Sequence, residues 1–238
     1  MAQSDPLSGA RAAAAAAAAE LVQPGMTIGL GSGRAVWEVV ELLGAGELAV
    51  RAAVASERTY RLAREAGIET VPLDGSVELD LALDGADEVD PELRLIKGGG
   101  GALLREKIVI SAARRFVVVA EASKRVARLG ETFRLPVEVA RFAWRDTRRR
   151  LAPLLPDAEI RMADGEPYLT DEGHFIFDCG LDGAPEPDEL ARELEGTPGV
   201  LEHGLFIGMA ERALLGRQDG GVDVLEAAGP RTIRPSAD

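Results

Sequence analysis

Short apolar runs alternate with helical stretches along the first half of this chain, and that alternation restricts the fold more than any other feature. Met26 to Leu30, Arg51 to Ala55, Ile68 to Leu73 and Leu79 to Leu83 each read as a short strand. Between the first three lie helical stretches, Ala35 to Leu43 and Glu57 to Ala66, the second closed by Gly67. A further helix over Ala102 to Ala113 precedes Phe116-Val117-Val118-Val119-Ala120, an unbroken apolar run that fits a strand buried on both faces. Strands and helices in this order predict an α/β fold, a doubly wound and mostly parallel sheet of Rossmann-like type. In such sheets ligands bind beyond the C-terminal ends of the strands. Ser32, Asp84, Lys97 and Lys124 each fall just after a predicted strand, so the pattern gathers them into one crevice.

The texture changes at Leu129-Gly130. Leu135 to Val139 and Ala158 to Met162 read as strands, and Arg145 to Leu155 as a helix carrying Arg148, Arg149 and Arg150. Asp164-Gly165 and Asp171-Glu172-Gly173 are turn signals, and His174 to Asp178 returns as a hairpin strand. Glu186 to Leu194 is a helix ended by Gly196 and Pro198. The expected organisation is therefore a catalytic domain over 1–130 plus about 207–228 and a second, smaller α+β domain over 131–206. Val200 to Ile207 and Val222 to Leu225 read as strands, the latter returning to the first domain. A flexible tail is expected over 229–238, which is polar and carries prolines.

At the other end, the alanine run Ala12 to Ala19 follows Arg11 and is closed by Glu20. Alanine is the best helix former and only weakly apolar, so the run predicts a soluble helix from Asp5-Pro6 to about Val22. No stretch is long and apolar enough to span a bilayer. A net charge of −13 argues against nucleic acid or an anionic membrane as partner, while leaving room for a phosphorylated small molecule held by a few local cations. The arginines at 148–150 lack interleaved aromatics and read as a solvated helix face or a subunit contact. Cys179 is the only cysteine, which excludes an internal disulfide and fits a reducing compartment. It reads as a packed thiol. His174 and His203 lack metal-ligand spacing and read as turn or strand residues.

The chemistry-bearing stretch is Asp84-Gly85-Ala86-Asp87-Glu88 with Lys97-Gly98-Gly99-Gly100-Gly101 behind it. Consecutive glycines lose much backbone entropy on ordering, which is offset where the backbone must approach a ligand closely and aim N–H groups at it. With a helix starting near Ala102, Gly98, Gly99 and Gly100 form an anion cradle. Glu106 shares a helical sector with Leu103, Val109, Ile110 and Ala113; a carboxylate so placed is desolvated and becomes a better base. Separately, Gly31-Ser32-Gly33-Arg34 joins a strand to a helix, as a phosphate loop or as a simple βα turn. Its spacing is not the dinucleotide fingerprint.

These stretches resemble the ribose-5-phosphate isomerase A family over nearly the whole chain. The most specific matches are Asp84 to Glu88, Ile96 to Ala102 and Arg105-Glu106-Lys107-Ile108; Gln23-Pro24-Gly25, Ala122-Ser123-Lys124, Leu135 to Glu138, Thr170-Asp171 and Gly204 to Ala210 support them. The resemblance implies interconversion of D-ribose 5-phosphate and D-ribulose 5-phosphate without metal or cofactor, in the cytoplasm, by a homodimer; the residues leave dimer and tetramer both open. It places the proton-transferring base on Glu106, sugar contacts on Asp84, Asp87, Lys97 and Lys124, and further substrate contacts on Gly85 and Ala86. As close neighbours, Asp84 and Asp87 are expected to repel, raising the pKa of at least one.

The departure is in the phosphate turn, where the family usually reads Gly-Thr-Gly-Ser-Thr and this chain has Gly31-Ser32-Gly33-Arg34-Ala35. Arg34 can substitute a bidentate contact, joined by Arg11. The loop Ala55-Ser56-Glu57-Arg58-Thr59 also departs, with alanine where serine is common. An isomerase of another sugar phosphate therefore stays open. An amino-sugar phosphate deaminase and a non-catalytic sugar-phosphate sensor are weaker rivals, because neither accounts for Asp84, Lys97 and Glu106 together.

Overall fold

The computed structural model describes residues 7–46 and 48–227. Asp5, Pro6 and the segment 229–238, expected to form a helix start and a flexible tail, lie outside the described residues. Helix α1 (Ser8–Ala19) is followed by β1 (Thr27–Leu30), α2 (Arg34–Ala45), β2 (Arg51–Val54), α3 (Glu57–Glu65), β3 (Glu69–Thr70) and β4 (Leu81–Asp84). Two minimal strands, β5 (Glu88–Val89) and β6 (Leu95–Ile96), lead to α4 (Leu103–Ser111) and β7 (Phe116–Glu121). Next come β8 (Leu135–Val139), α5 (Trp144–Leu151), β9 (Glu159–Ile160), β10 (Met162–Ala163), β11 (Glu166–Pro167), β12 (Phe175–Cys179), α6 (Pro187–Glu195) and β13 (Val200–His203). The last strands are β14 (Leu205–Phe206), β15 (Arg212–Gly216) and β16 (Val222–Glu226).

Among the described residues the main sheet has seven strands in the order β16-β15-β7-β4-β1-β2-β3, parallel except for the β15–β16 pair. The alternation of side chains in its strands explains why helices cover both faces. Val117 and Val119 of β7, with Leu81 and Leu83 of β4, pack in one core with Ala14, Ala15 and Ala18 of α1 and Val36, Val39 and Val40 of α2. Phe116 and Val118, with Ala82, point the other way and pack with Val109 and Ile110 of α4. Each fully buried valine, leucine, isoleucine or phenylalanine among these contributes roughly 1.5–3 kcal/mol, and each alanine less. The chain runs outward from β1 through β2 to β3, then returns to place β4 on the other side of β1. The crevice at this reversal, between the C-terminal ends of β1 and β4, is where open α/β sheets bind ligands.

A second sheet, β13-β8-β12-β9, is antiparallel and packs Leu135, Val137 and Phe177 against Leu151 of α5 and Leu190 and Leu194 of α6. This is the α+β part. A third, three-stranded piece in the order β14-β6-β5 joins the two.

Several elements differ from the sequence reading; Ala158 to Met162, for one, splits into β9 beside β12 and β10 in a hairpin with β11. The strand before Lys97 is only Leu95–Ile96 and belongs to the small antiparallel piece, because Leu93 turns the chain with φ of 59°. Val200 to Ile207 is two strands in different sheets, with β13 pairing with β8 and β14 with β6. The parallel strand Arg212–Gly216 has no sequence signal as a strand: its Ala213-Leu214-Leu215 core consists of good helix formers, and the tertiary slot beside β7 overrides propensity.

Helix α1 lies against β15 so closely that a Cβ on Gly216 would sit 1.8 Å from the Ala10 carbonyl oxygen. Backbone cannot give way as a side chain can, so Gly216→Ala is expected to destabilise the protein by about 1–3 kcal/mol or more. A lowered midpoint in urea would show it; an unchanged midpoint would mean α1 is not packed this way.

Candidate active site

At the switch point the loops after β1 and β4 meet. Asp84, the last residue of β4, is fully buried, and its Oδ1 accepts hydrogen bonds from the backbone N–H groups of Gly85 (2.7 Å) and Ser32 (3.1 Å). Residue 31 must be glycine for this, because a Cβ there would lie 1.8 Å from the Asp84 carboxyl carbon. Gly33 starts α2 at φ of 131°, a conformation open to glycine and strained for other residues.

The minimal strands β5 and β6 bring Lys97 to the same point. The Asp87 N–H donates to the Ile96 carbonyl at 2.8 Å, and the Lys97 N–H to the Gly204 carbonyl at 2.9 Å. Held so, the Lys97 ammonium donates to the Gly85 carbonyl at 2.7 Å. It also lies 2.9 Å from Asp84 Oδ2 and 3.1 Å from Glu106 Oε2. Glu106 arrives from the first turn of α4, among buried Leu103, Val109 and Ile110. Burial, with the nearby Asp84 charge adding to it, pushes the Glu106 carboxyl up to about 8. Burial likewise raises Asp84, against the pull of Lys97. The cause is desolvation rather than the expected repulsion from Asp87. For Lys97 burial opposes the charge, but Asp84 and Glu106 outweigh it and its pKa goes up.

The cleft above this cluster has a volume of about 520 Å³. Of the residues singled out from sequence, Arg11, Ser32, Gly33, Arg34, Ala35, Gly85, Ala86, Asp87, Lys97, Gly98, Gly99, Gly100, Glu106 and Lys124 line it, with Asp84 beneath the floor. Two differ in setting from the sequence reading. Arg11 is buried on α1, its guanidinium 2.8 Å from Glu121 and 3.2 Å from Glu38. The glycine cradle is partly closed on itself: the Gly99 N–H donates to Asp87 Oδ2 at 2.8 Å and the Gly101 N–H to the Gly98 carbonyl at 3.0 Å. Two N–H groups of the glycine run are thus used within the protein, that of Gly99 being one expected to face a ligand. From the antiparallel sheet, Arg161 donates to the Gly98 and Gly99 carbonyls (3.0 and 3.1 Å) and Tyr168 to that of Gly100 (3.3 Å).

These features have close relatives. Residues 51–220 match the family model for ribose 5-phosphate isomerase A (phosphoriboisomerase A). The chain belongs to the ribose 5-phosphate isomerase A family. It is 47% identical over 226 residues to ribose-5-phosphate isomerase A of Synechococcus sp. (strain JA-3-3Ab), covering 92% of this chain and 97% of the relative. It is 49% identical over 220 residues to that of Roseiflexus castenholzii, covering 90% and 94%. The ribose 5-phosphate isomerase A structure of Methanocaldococcus jannaschii superposes with a TM-score of 0.87 at 38% identity, covering 92% and 99%. A D-ribose-5-phosphate isomerase solved in complex with phospho-erythronic acid superposes at 0.86 with 36% identity, covering 91% and 97%.

The cleft is also lined by Trp37, Arg61, Glu121 and Tyr168, outside the stretches compared with the family, and by Ser56, Glu57, Arg58 and Asp171, inside them. Those at 56–61 follow β2, the neighbour of β1, so a strand order would have placed them at the same crevice. Tyr168 and Asp171 reach in from the other sheet; Asp171 lies in the Thr170-Asp171 match to the family, while no local pattern marks Tyr168. Asp171 accepts a hydrogen bond from the Glu57 N–H at 3.2 Å and lies 3.4 Å from Arg105, tying the two sheets together across the cleft mouth. The Cys179 thiol is buried in β12 and pushed up to about 12 by burial. His203 is also buried, at the end of β13, where burial and then Lys107 push it down to about 3.

Removing the ammonium while leaving its partners would strand two buried carboxyl groups. Lys97→Met is therefore expected to destabilise the fold by about 3–5 kcal/mol at neutral pH. The loss should shrink as pH falls and the carboxyls take up protons. Urea melts at several pH values test this, and a pH-independent loss would count against it.

Proposed function

We propose that the protein interconverts D-ribose 5-phosphate and D-ribulose 5-phosphate by proton transfer through an enediolate. The observation that carries this reading is the Lys97 ammonium lodged between Asp84 and Glu106 on the floor of a cleft of sugar-phosphate size, in a chain that belongs to the isomerase family. The reaction requires one base that reaches two adjacent carbons and a cation beside the oxygens that gain charge. Glu106 takes the proton from C2 of the open-chain aldose and returns it to C1, while O2 gives up its proton and O1 gains one. Lys97 stabilises the enediolate between the two steps. Asp84 and Asp87 handle hydroxyl protons during ring opening, and Lys124 holds the sugar from the end of β7.

Gly31 to Ala35 holds the phosphate at the start of α2, with Arg34 supplying positive charge; Arg11, paired with Glu121 and Glu38, supports the turn from behind. A relative solved in complex with phospho-erythronic acid supports a phosphorylated sugar-like ligand for this fold. The substitution of Arg34-Ala35 in the turn favours a second reading, an isomerase of a related sugar phosphate. We read the working form as a cytoplasmic homodimer of the non-oxidative pentose phosphate pathway. Among the described residues no helix is long and apolar enough to cross a membrane.

Glu106→Gln is expected to abolish ribulose formation while ribose 5-phosphate still binds, with chelator present in the assay and wild-type turnover persisting in it. Substantial residual kcat in the variant would remove Glu106 as the base. Only the carboxylate form accepts a proton. With the group at about 8, kcat/KM should therefore rise tenfold per pH unit below that value and level off above it. A profile flat from pH 6 to 9 would contradict this. Arg34→Ala should raise KM for ribose 5-phosphate with kcat nearly kept; an unchanged KM would take Arg34 out of the phosphate site.

A further inference from the structure

Acidic groups outnumber basic ones here by 40 to 27, and many surface arginines are paired, as Arg105, Arg115, Arg134 and Arg217 are with nearby carboxylates. Arg58 differs. It is exposed in the first turn of α3 and lines the cleft, and no carboxylate pairs with it among the described residues. Instead its guanidinium carbon sits over the Trp37 indole, 3.7 Å from the ring centre.

The indole is itself fixed. Its Nε1–H donates to Thr59 Oγ1 at 3.1 Å, and the Thr59 hydroxyl donates to the Gly31 carbonyl at 2.9 Å. The Ser56 hydroxyl caps α3 by accepting from the Thr59 N–H and donates to Thr59 Oγ1 at 3.0 Å. One chain of hydrogen bonds thus locks the start of α3 onto the turn that begins α2. Stacking on an aromatic face occupies the plane of a guanidinium and leaves its N–H edges to face outward, the geometry that meets two phosphate oxygens at once. The turn Gly31 to Ala35 offers a single hydroxyl side chain, Ser32, for the same oxygens.

We propose that Arg58, held over Trp37, contacts the substrate phosphate and sets the preference of the cleft for phosphorylated sugars. The proposal rests on the isomerase reading for the identity of the substrate, but not for the binding of phosphate. A lysine would not serve as well, being a point charge without a plane to stack.

Calorimetric titration of the whole protein with inorganic phosphate tests this without turnover, beside KM and kcat for ribose 5-phosphate. Arg58→Ala should weaken phosphate binding and raise KM by about tenfold or more, the scale of a charge-assisted hydrogen bond, with kcat changed less than about twofold. Arg58→Lys should recover only part of the affinity. Arg64→Ala, which removes the same charge from the same helix outside the cleft, should bind phosphate like the parent. Arg58→Gln, which keeps most of the stem, gives the same readout if the alanine variant folds poorly. Parent-like phosphate affinity in Arg58→Ala and Arg58→Gln would overturn the proposal, as would an equal loss in Arg64→Ala. Failure of the parent to isomerise ribose 5-phosphate would overturn the function instead, and the calorimetry would still decide Arg58.

Discussion

One buried ammonium, that of Lys97, makes the centre of this protein tolerable to water-free packing. Two carboxyl groups, Asp84 and Glu106, lie within 3.1 Å of it, and all three side chains are at most 5% exposed. Isolated charges in such surroundings are strongly disfavoured, and even a good pair does little more than offset its own desolvation. One ammonium cannot neutralise two carboxylates, so the cluster keeps one carboxyl near its protonation point. That frustrated balance is what a proton-transferring base needs, and it exists only because several parts of the fold converge there.

The convergence has separate physical origins. Asp84 is carried by a central strand that both sheet faces bury, and Gly31 leaves the space its carboxylate fills. Glu106 is carried by the helix whose Val109 and Ile110 cover one face of that sheet. Lys97 comes from neither: a three-stranded patch between the two larger sheets delivers it, and contacts from Arg161 and Tyr168 hold the glycine turn behind it. The antiparallel sheet is therefore part of the site's support, although its own core lies apart from the cleft.

Much of this was legible beforehand, and unevenly. The parallel sheet showed in the run Phe116 to Ala120, since only burial on both faces tolerates five apolar residues in succession. The basic character of Glu106 showed in its helical neighbours. Illegible were the strand Arg212–Gly216, written in helix-forming residues, and the role of Leu95–Ile96 outside the main sheet. Tyr168 was equally hidden, because it reaches the cleft from 68 residues beyond Gly100, whose carbonyl it meets.

The sequence by itself determined the fold class, the crevice at the strand ends and the set of residues able to do chemistry there. Those properties follow from local periodicity and from residue type, which need no knowledge of what lies opposite. Only the tertiary structure decided the distances among Asp84, Lys97 and Glu106, the self-closure of the glycine turn and the placement of Arg58 over Trp37. Each of these depends on groups remote in the chain coming within a few ångströms, and on the loss of water that proximity brings. Desolvation is a property of the surroundings and not of the residue, so the shift of Glu106 to about 8 could be anticipated in direction but not in extent.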